Sequence, residues 1–132
     1  MRSVFIAAAG NDGANVDATP YSPAASTRPN VISVASIESD GSLSWFSNYG
    51  ATTVDVAAPG GNIFSTLPGN RYGYMSGTSM ASPFVAGSAA LLVSAHPDWT
   101  YTQIVNQILS TAKPLASLAG KVATGGELNV GA

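Results

Sequence analysis

A serine among small residues could serve as a nucleophile in this chain. Ser79 lies in the run Gly77-Thr78-Ser79-Met80-Ala81-Ser82-Pro83, where a long apolar helix is expected to begin. Free backbone N–H groups and the helix dipole favour negative charge in a first turn. Such a turn can hold both a nucleophile and a donor for the oxyanion that forms on attack. By itself, however, Gly-Thr-Ser is more often a plain helix cap. Pro83 is expected near the helix start, where a missing N–H costs little.

The base that a serine nucleophile requires is harder to find. His96 is the only histidine of the chain. The predicted helix runs from about Thr78 to Ala95 and ends at His96-Pro97, because proline cannot continue a helix. At 1.5 Å per residue, His96 would lie about 25 Å from Ser79 along the axis. Proton transfer needs about 3 Å. The base must therefore come from elsewhere, and His96 suits a helix C-terminus, beside the negative end of the dipole.

The elements that would position Ser79 follow an α/β pattern. Short, continuous apolar runs bounded by Gly, Pro or Asp are typical of strands buried on both faces of a parallel sheet. The predicted strands are Val4–Ala9, Val31–Ile37 and Val54–Ala58, with a hairpin of 62–66 and 71–76 joined through Pro68-Gly69-Asn70 and a last strand or turn in 125–130. The first helix is apolar or small on every face, which predicts an interior position. A second helix is predicted after Thr100, which has capping-box spacing to Gln103.

Composition limits the classes of function. The 132 residues suffice for one domain, and only 9% of them are charged, against about 25% in typical proteins. The low fraction of charged residues favours two explanations together. Part of the surface packs against protein outside this sequence, and part of it is rich in small polar residues. The net charge is −2 and the Lys and Arg residues are scattered rather than clustered, so the chain is not expected to bind nucleic acid. The longest apolar stretch, Met80–Ala95, is shorter than a membrane span.

Read together, these segments resemble the subtilisin-like serine proteases (subtilases, peptidase family S8). The run Gly77–Pro83 resembles the sequence around the nucleophile of that family. Five further segments resemble segments of the family and follow one another in the family's order along the chain: Ala8-Ala9-Gly10-Asn11, Tyr21–Ala24, Phe46–Gly50, Val54–Gly60 and His96–Thr100. The resemblance covers essentially all 132 residues. It implies a partial three-layer α/β fold, with a mostly parallel sheet and a buried central helix that carries the nucleophile at its N-terminus.

The resemblance also implies roles for individual residues. Ser79 would be the nucleophile, and Asn11 would offer its side-chain amide to the oxyanion beside the backbone N–H of Ser79. Ala8, Ala9 and Gly10 would form one wall of the pocket for the substrate residue before the cut. One departure is Phe84, which stands where the family usually has a histidine without a catalytic role.

The resemblance implies no cofactor for the chemistry, but it leaves a structural calcium ion open. In proteinase K-like relatives a calcium ion is held by two carbonyls and an aspartate, which correspond here to Pro29, Val31 and Asp55. Asp55 could equally serve a purely structural role. The implied partners are a peptide or protein substrate outside the cytoplasm, with no nucleic acid and no membrane.

In the family, the catalytic Asp and His precede the oxyanion asparagine along the chain. The sequence begins just before that residue, so residues 1–132 are expected to form the C-terminal part of a peptidase domain, nearly inactive alone and prone to self-association. Two alternatives remain: a non-catalytic, protease-derived binding module, and one half of a split enzyme. Nucleotide binding, suggested by Gly10-Asn11-Asp12-Gly13 after a strand, lacks both a G-x-G-x-x-G pattern and a P-loop lysine.

Overall fold

The fold of the chain is α/β, as the sequence predicts. The computed structural model describes residues 4–19, 30–69 and 71–129. The strands are β1 (Phe5–Ala8), β2 (Val31–Ile37), β3 (Val56–Pro59), β4 (Ile63–Leu67), β5 (Arg71–Met75), β6 (Lys113–Pro114) and β7 (Gly126–Glu127), and the helices are α1 (Thr78–Ala95) and α2 (Tyr101–Ser110), followed by one 3₁₀ turn (Ala116–Leu118). The bounds of β2 and α1 are those predicted. Asn70, in the predicted hairpin turn, lies outside the described residues.

The main sheet is mostly parallel, and its topology sets the position of the site. The strand order is β1-β2-β3-β7-β6, with β6 alone antiparallel to its neighbour. In this order β1 lies at the edge and β2 is its partner. Strands β4 and β5 form a separate antiparallel hairpin. Because β1, β2 and β3 run in the same direction, the loops that follow them emerge at one edge of the sheet, where α/β proteins generally bind ligands.

Helix α1 packs on β1, β2 and β3 along one stripe only. Its buried residues are Thr78, Ala81, Val85 and Ala89, at the three- and four-residue spacing of one helix face. Large apolar residues on its other faces are exposed, among them Phe84 and Leu91 at 42% and 69%. The sequence predicts an interior position for this helix, and within the described part of this chain the sheet covers one side of it.

By length and composition, α1 would suffice to cross a membrane. Its mean hydropathy is 1.3 over 18 residues, of which 22% are buried. A core helix of a folded domain passes the same test, so this finding is weak evidence for a membrane. Pro83 also differs from expectation. It lies in the second turn, beyond the four residues whose N–H groups lack intrahelical partners, and it removes the N–H that would bond to the carbonyl of Ser79.

Two apolar clusters cover the two faces of the sheet. On one face, α1 and α2 enclose residues such as Ile32, Val34 and Val85. On the other face, loops and the 3₁₀ turn enclose Val16, Ile37 and Leu118. Within the described ranges the second face thus has no α-helix, which fits the partial three-layer architecture that was predicted. The predicted capping box of α2 is confirmed: Thr100 Oγ1 accepts from the N–H of Gln103, and Gln103 Oε1 accepts from that of Thr100.

Candidate active site

The start of α1 presents Ser79 at the edge where the parallel strands end. Ser79 is the second residue of the helix and is exposed. The loop before it is fixed to the end of β3, because the N–H of Gly77 donates to the carbonyl of Gly60 at 2.9 Å. The N–H of Met80 bonds back to Gly77 at 3.0 Å. Helix geometry leaves the N–H of Ser79 without an intrahelical acceptor.

Asn11, in the loop after β1, has the orientation of its amide set by Thr78. Asn11 Oδ1 accepts from the backbone N–H of Thr78 at 2.8 Å and from its hydroxyl at 2.9 Å. The Thr78 hydroxyl in turn accepts from the N–H of Gly10 at 3.0 Å, and the residue is 1% exposed. Because the amide oxygen accepts both of these hydrogen bonds, the Nδ2 group of Asn11 points away from Thr78 and can donate to another acceptor.

Three atoms of the site converge on a point beside Gly77. A Cβ built on Gly77 would stand 3.3 Å from Ser79 Oγ, 3.6 Å from Asn11 Nδ2 and 3.8 Å from Ser79 N. A hydroxyl and two nitrogen atoms that can donate hydrogen bonds thus lie within 4 Å of one point, which a side chain on residue 77 would occupy. An oxyanion hole requires two donors near the attacking hydroxyl, aimed at the position where negative charge develops.

Asn48 fixes the loop that carries Asn11. Its Oδ1 accepts from the N–H groups of Asp12 and Ala14 at 3.0 and 2.9 Å, and its Nδ2 donates to the carbonyl of Ala9 at 2.9 Å. Asn48 is 1% exposed, and its bond to the carbonyl of Ala9 is buried. The sequence predicted no role for either Asn48 or Thr78. Both lie within segments that resemble the family, Thr78 beside Ser79 and Asn48 in Phe46–Gly50, but spacing alone could not show that they contact the loop around Asn11.

The predicted pocket wall lies next to this site. Ala8 ends β1 and is partly buried, while Ala9 and Gly10 are buried. The N–H of Ala9 donates to the carbonyl of Val34, which keeps the wall in register with β2. The wall is thus held at the sheet edge and joined to the helix start through the bond between Gly10 and Thr78.

His96 lies at the opposite end of α1 from Ser79. It caps the C-terminus, where its N–H donates to the carbonyl of Leu92, and its ring stacks on Trp99 with centroids 3.7 Å apart. Because α1 is continuous from Thr78 to Ala95, as predicted, the helical rise puts about 25 Å between Ser79 and His96 along the axis. Since the sequence has no other histidine, no imidazole of this chain stands beside Ser79.

The residues predicted for calcium are only partly described. Pro29 lies outside the described residues. Val31 begins β2, and Asp55 precedes β3 and receives the N–H of Ser33 on Oδ2 at 2.9 Å. Burial raises the pKa of the Asp55 carboxyl above its ordinary value, and the Ser33 bond offsets the rise in part. Across the described residues no three His, Cys, Asp or Glu side chains cluster, so any cation here would depend on backbone carbonyls.

The known proteins that this chain resembles in sequence and in fold are serine proteases of one family. The family model described as "Subtilase family" matches residues 1–128. A "Thermophilic serine proteinase" of Bacillus sp. (strain AK1) is 58% identical over 92 residues, or 70% of this chain and 21% of that protein. "Subtilisin" of Bacillus pumilus is 45% identical over 114 residues, or 86% of this chain. A solved structure of a subtilase cytotoxin superposes with a TM-score of 0.84 at 32% identity, covering 96% of this chain and 46% of that one. The chain spans 41% of the Bacillus pumilus protein, well under its full length.

Proposed function

Because the chain belongs to the subtilase family of serine proteases, we propose that it supplies the nucleophile and the oxyanion hole of an endopeptidase. The observation that supports this most directly is the convergence of Ser79 Oγ, Ser79 N and Asn11 Nδ2 within 4 Å of one point beside Gly77. A helix cap would need only the bond from the Thr78 N–H to Asn11 Oδ1. It would not need Asn11 Nδ2 to lie close to the same point as Ser79 Oγ, so the plain capping role does not account for the whole arrangement.

In the proposed reaction, Ser79 Oγ attacks the carbonyl carbon of the scissile bond and loses its proton to a base. The carbonyl oxygen becomes an oxyanion, which accepts hydrogen bonds from Asn11 Nδ2 and from the N–H of Ser79. The tetrahedral intermediate then expels the amine, which takes up the proton, and leaves an acyl group on Ser79. Water hydrolyses this ester in the second half of the reaction. The substrate residue before the cut would lie against Ala8, Ala9 and Gly10.

The base and its aspartate are proposed to come from polypeptide outside this sequence. The part of the family that precedes the oxyanion asparagine carries both groups. The exposed faces of α1 and the edge of β1 give that polypeptide apolar surface to cover, and a second copy of the chain would compete for the same surface. We call the assembly of this segment with the polypeptide that supplies Asp and His the complete protease. We further propose that it acts outside the cytoplasm.

Covalent labelling distinguishes the proposed enzyme from a binding module. The complete protease should form a fluorophosphonate adduct, and peptide mapping by mass spectrometry should place that adduct on Ser79. The same preparation should hydrolyse an unlabelled peptide and lose this activity on labelling. Binding of peptides without an adduct and without hydrolysis would instead support the protease-derived binding module. Activity that arises only on mixing two chains would identify a split enzyme.

We also propose that Asp55 contributes to a structural calcium site. Calcium prefers carboxylate and carbonyl oxygens, and a buried carboxylate with a raised pKa gains from a neighbouring cation. The residues that would hold the ion are Asp55 and Val31, with Pro29 as the third. No step of the reaction depends on this ion.

Stability as a function of pH tests the calcium proposal. A raised pKa means that folding disfavours ionised Asp55. Without calcium, this residue's contribution to stability therefore falls as pH rises from about 3.8 through its raised pKa. Calcium should reverse the loss only above that pKa, by about 2–3 kcal/mol at a hundredfold excess over Kd. We expect Asp55→Asn to remove both effects in melting curves recorded between pH 4 and 8, and exposed Asp98→Asn to preserve them. Equal calcium stabilisation of both variants would contradict the proposal.

A further inference from the structure

A cavity of about 570 Å³ opens beside the oxyanion hole and carries one charged group. Its lining residues are Asn11, Glu38, Trp45, Phe46, Asn62 and Ser76. Asn11 and Ser76 connect it to the reactive centre, since Ser76 stands three residues before Ser79. Glu38 is the only titratable side chain of the lining. The exposed ring of Trp45, at 89%, packs edge-on against Phe46 and gives the cavity an apolar side.

The Glu38 carboxylate is held in a fixed position. Ser44 donates its hydroxyl to Glu38 Oε2. Ser44 also shares a 2.8 Å hydrogen bond with Ser36, and both serines are at most 1% exposed. A Cβ on Gly61 would overlap the carboxylate, so the group lies directly over the backbone that leads from β3 to the hairpin. A side chain anchored in this way loses little further entropy when it binds a ligand.

The cations of the described chain lie elsewhere. Arg71 donates to the carbonyl of Pro68 at the tip of the hairpin, and Lys121 lies 4.3 Å from the centre of the Tyr49 ring. Lys113 belongs to β6, opposite Glu127. A positively charged group of a bound substrate would therefore meet an ordered carboxylate next to an aromatic surface.

The lining also indicates which side of the scissile bond the cavity serves. It meets the site at Asn11 but includes none of Ala8, Ala9 and Gly10, the proposed wall for the residue before the cut. We propose that the cavity receives the leaving-group side of the substrate and that Glu38 makes it select an arginine or lysine there. This inference rests on the proposed endopeptidase function. Trp45 and Phe46 would contact the aliphatic part of the same side chain.

Peptides that differ in one group test this selectivity. The complete protease is given a neutral host peptide with a single cut, and the residue after the cut is arginine or its neutral isostere citrulline. We expect kcat/KM to be about five- to tenfold higher for arginine. The preference should shrink as salt rises from 0.05 to 0.5 M, because a partly exposed charge pair is screened. Placing the same pair of residues before the cut should give no comparable ratio.

Two variants assign the preference to Glu38. Glu38→Gln should bring the arginine-to-citrulline ratio close to one. Asp40→Asn removes an exposed carboxylate two residues away that bonds to Ser42 and does not line the cavity, so the ratio should stay at its original value. The salt series on unaltered protein gives an independent readout should the Gln variant fold poorly.

The outcomes separate the two proposals. Cleavage of both peptides at equal rates would overturn the role of Glu38 and leave the endopeptidase function intact. A preference that survives in Glu38→Gln, or is lost equally in Asp40→Asn, would also overturn it. Failure to cleave either peptide together with failure to label Ser79 would refute the endopeptidase function and the selectivity that rests on it.

Discussion

The isolated 132-residue chain should react with a fluorophosphonate probe at least about 10⁴-fold more slowly than the complete protease. Loss of the base or its orienting partner from a serine triad typically costs 10⁴–10⁶ in rate. Ser79 keeps its position at the helix start and its N–H donors in the isolated chain, but its hydroxyl keeps its proton. The measurement is the second-order rate constant of labelling, followed by intact-protein mass spectrometry.

Two variants of the isolated chain define the source of any residual labelling. Ser79→Ala should remove it, which shows that the adduct forms on this hydroxyl. His96→Ala should leave it unchanged, because His96 lies at the far end of α1 and stacks on Trp99. Rapid, stoichiometric labelling of the unaltered chain would contradict the proposed absence of a base. A marked fall in His96→Ala would contradict the geometry of the helix.

Asn11→Leu in the complete protease should lower kcat by about 10²–10³, with a much smaller change in KM. This is the size of effect found when one oxyanion donor is removed from subtilisin, a relative of this chain. Leucine has a similar volume but no amide group. It removes the N–H that bonds to the carbonyl oxygen only as charge develops there, and it also removes the Oδ1 acceptor of Thr78. Steady-state kinetics on one peptide substrate would measure both constants. The matched control is Asn15→Leu, an exposed asparagine of the same loop, which should keep kcat within a few fold.

The role of Thr78 can be tested on the same substrate. Thr78→Val removes the hydroxyl that fixes Asn11 Oδ1 and leaves the buried N–H of Gly10 without its acceptor. We expect kcat to fall by a smaller factor than in Asn11→Leu, and Thr78→Ser to restore most of it. Because the two residues act through one amide, the double variant should lose little more than Asn11→Leu alone. Fully additive losses would show that Thr78 acts independently of Asn11.

The features that sequence predicted well are those with local causes. Helix α1 ends where Pro97 requires, and α2 begins with a capping box whose two members are three residues apart. Strand β3 was misplaced by two residues at its start. Val54 is fully buried, as its apolar character predicts, but its N–H bonds to Gly50 rather than joining the ladder with β2. Apolarity predicts burial, whereas backbone pairing depends on the neighbouring strand.

The site shows the same division between local and distant causes. The position of Ser79 follows from the helix start, and its relation to Asn11 came from the family resemblance. The supporting bonds of Thr78 and Asn48 join residues 34 to 68 positions apart, so they depend on how the strands are ordered. The hydrogen bonds that join Glu38 to Ser44, and Ser44 to Ser36, could not be predicted from the sequence either. A single serine in a strand or a loop does not indicate which residue it will contact. The all-round apolar character of α1 predicted burial that the described residues supply on one face only.

The bond between Gly60 and Gly77 has a practical consequence for engineering. Gly60 precedes the β4–β5 hairpin and Gly77 follows it, so their hydrogen bond joins the two ends of the hairpin just before Ser79. A second tie, from the N–H of Asn62 to Ser76 Oγ at 2.8 Å, reinforces that closure. We expect a foreign peptide, such as an affinity tag or a targeting epitope, to leave the position of the Ser79 hydroxyl unchanged when it is inserted near Pro68 and Gly69. The two hydrogen bonds at the base of the hairpin thus lie between the attachment point at the tip and Ser79.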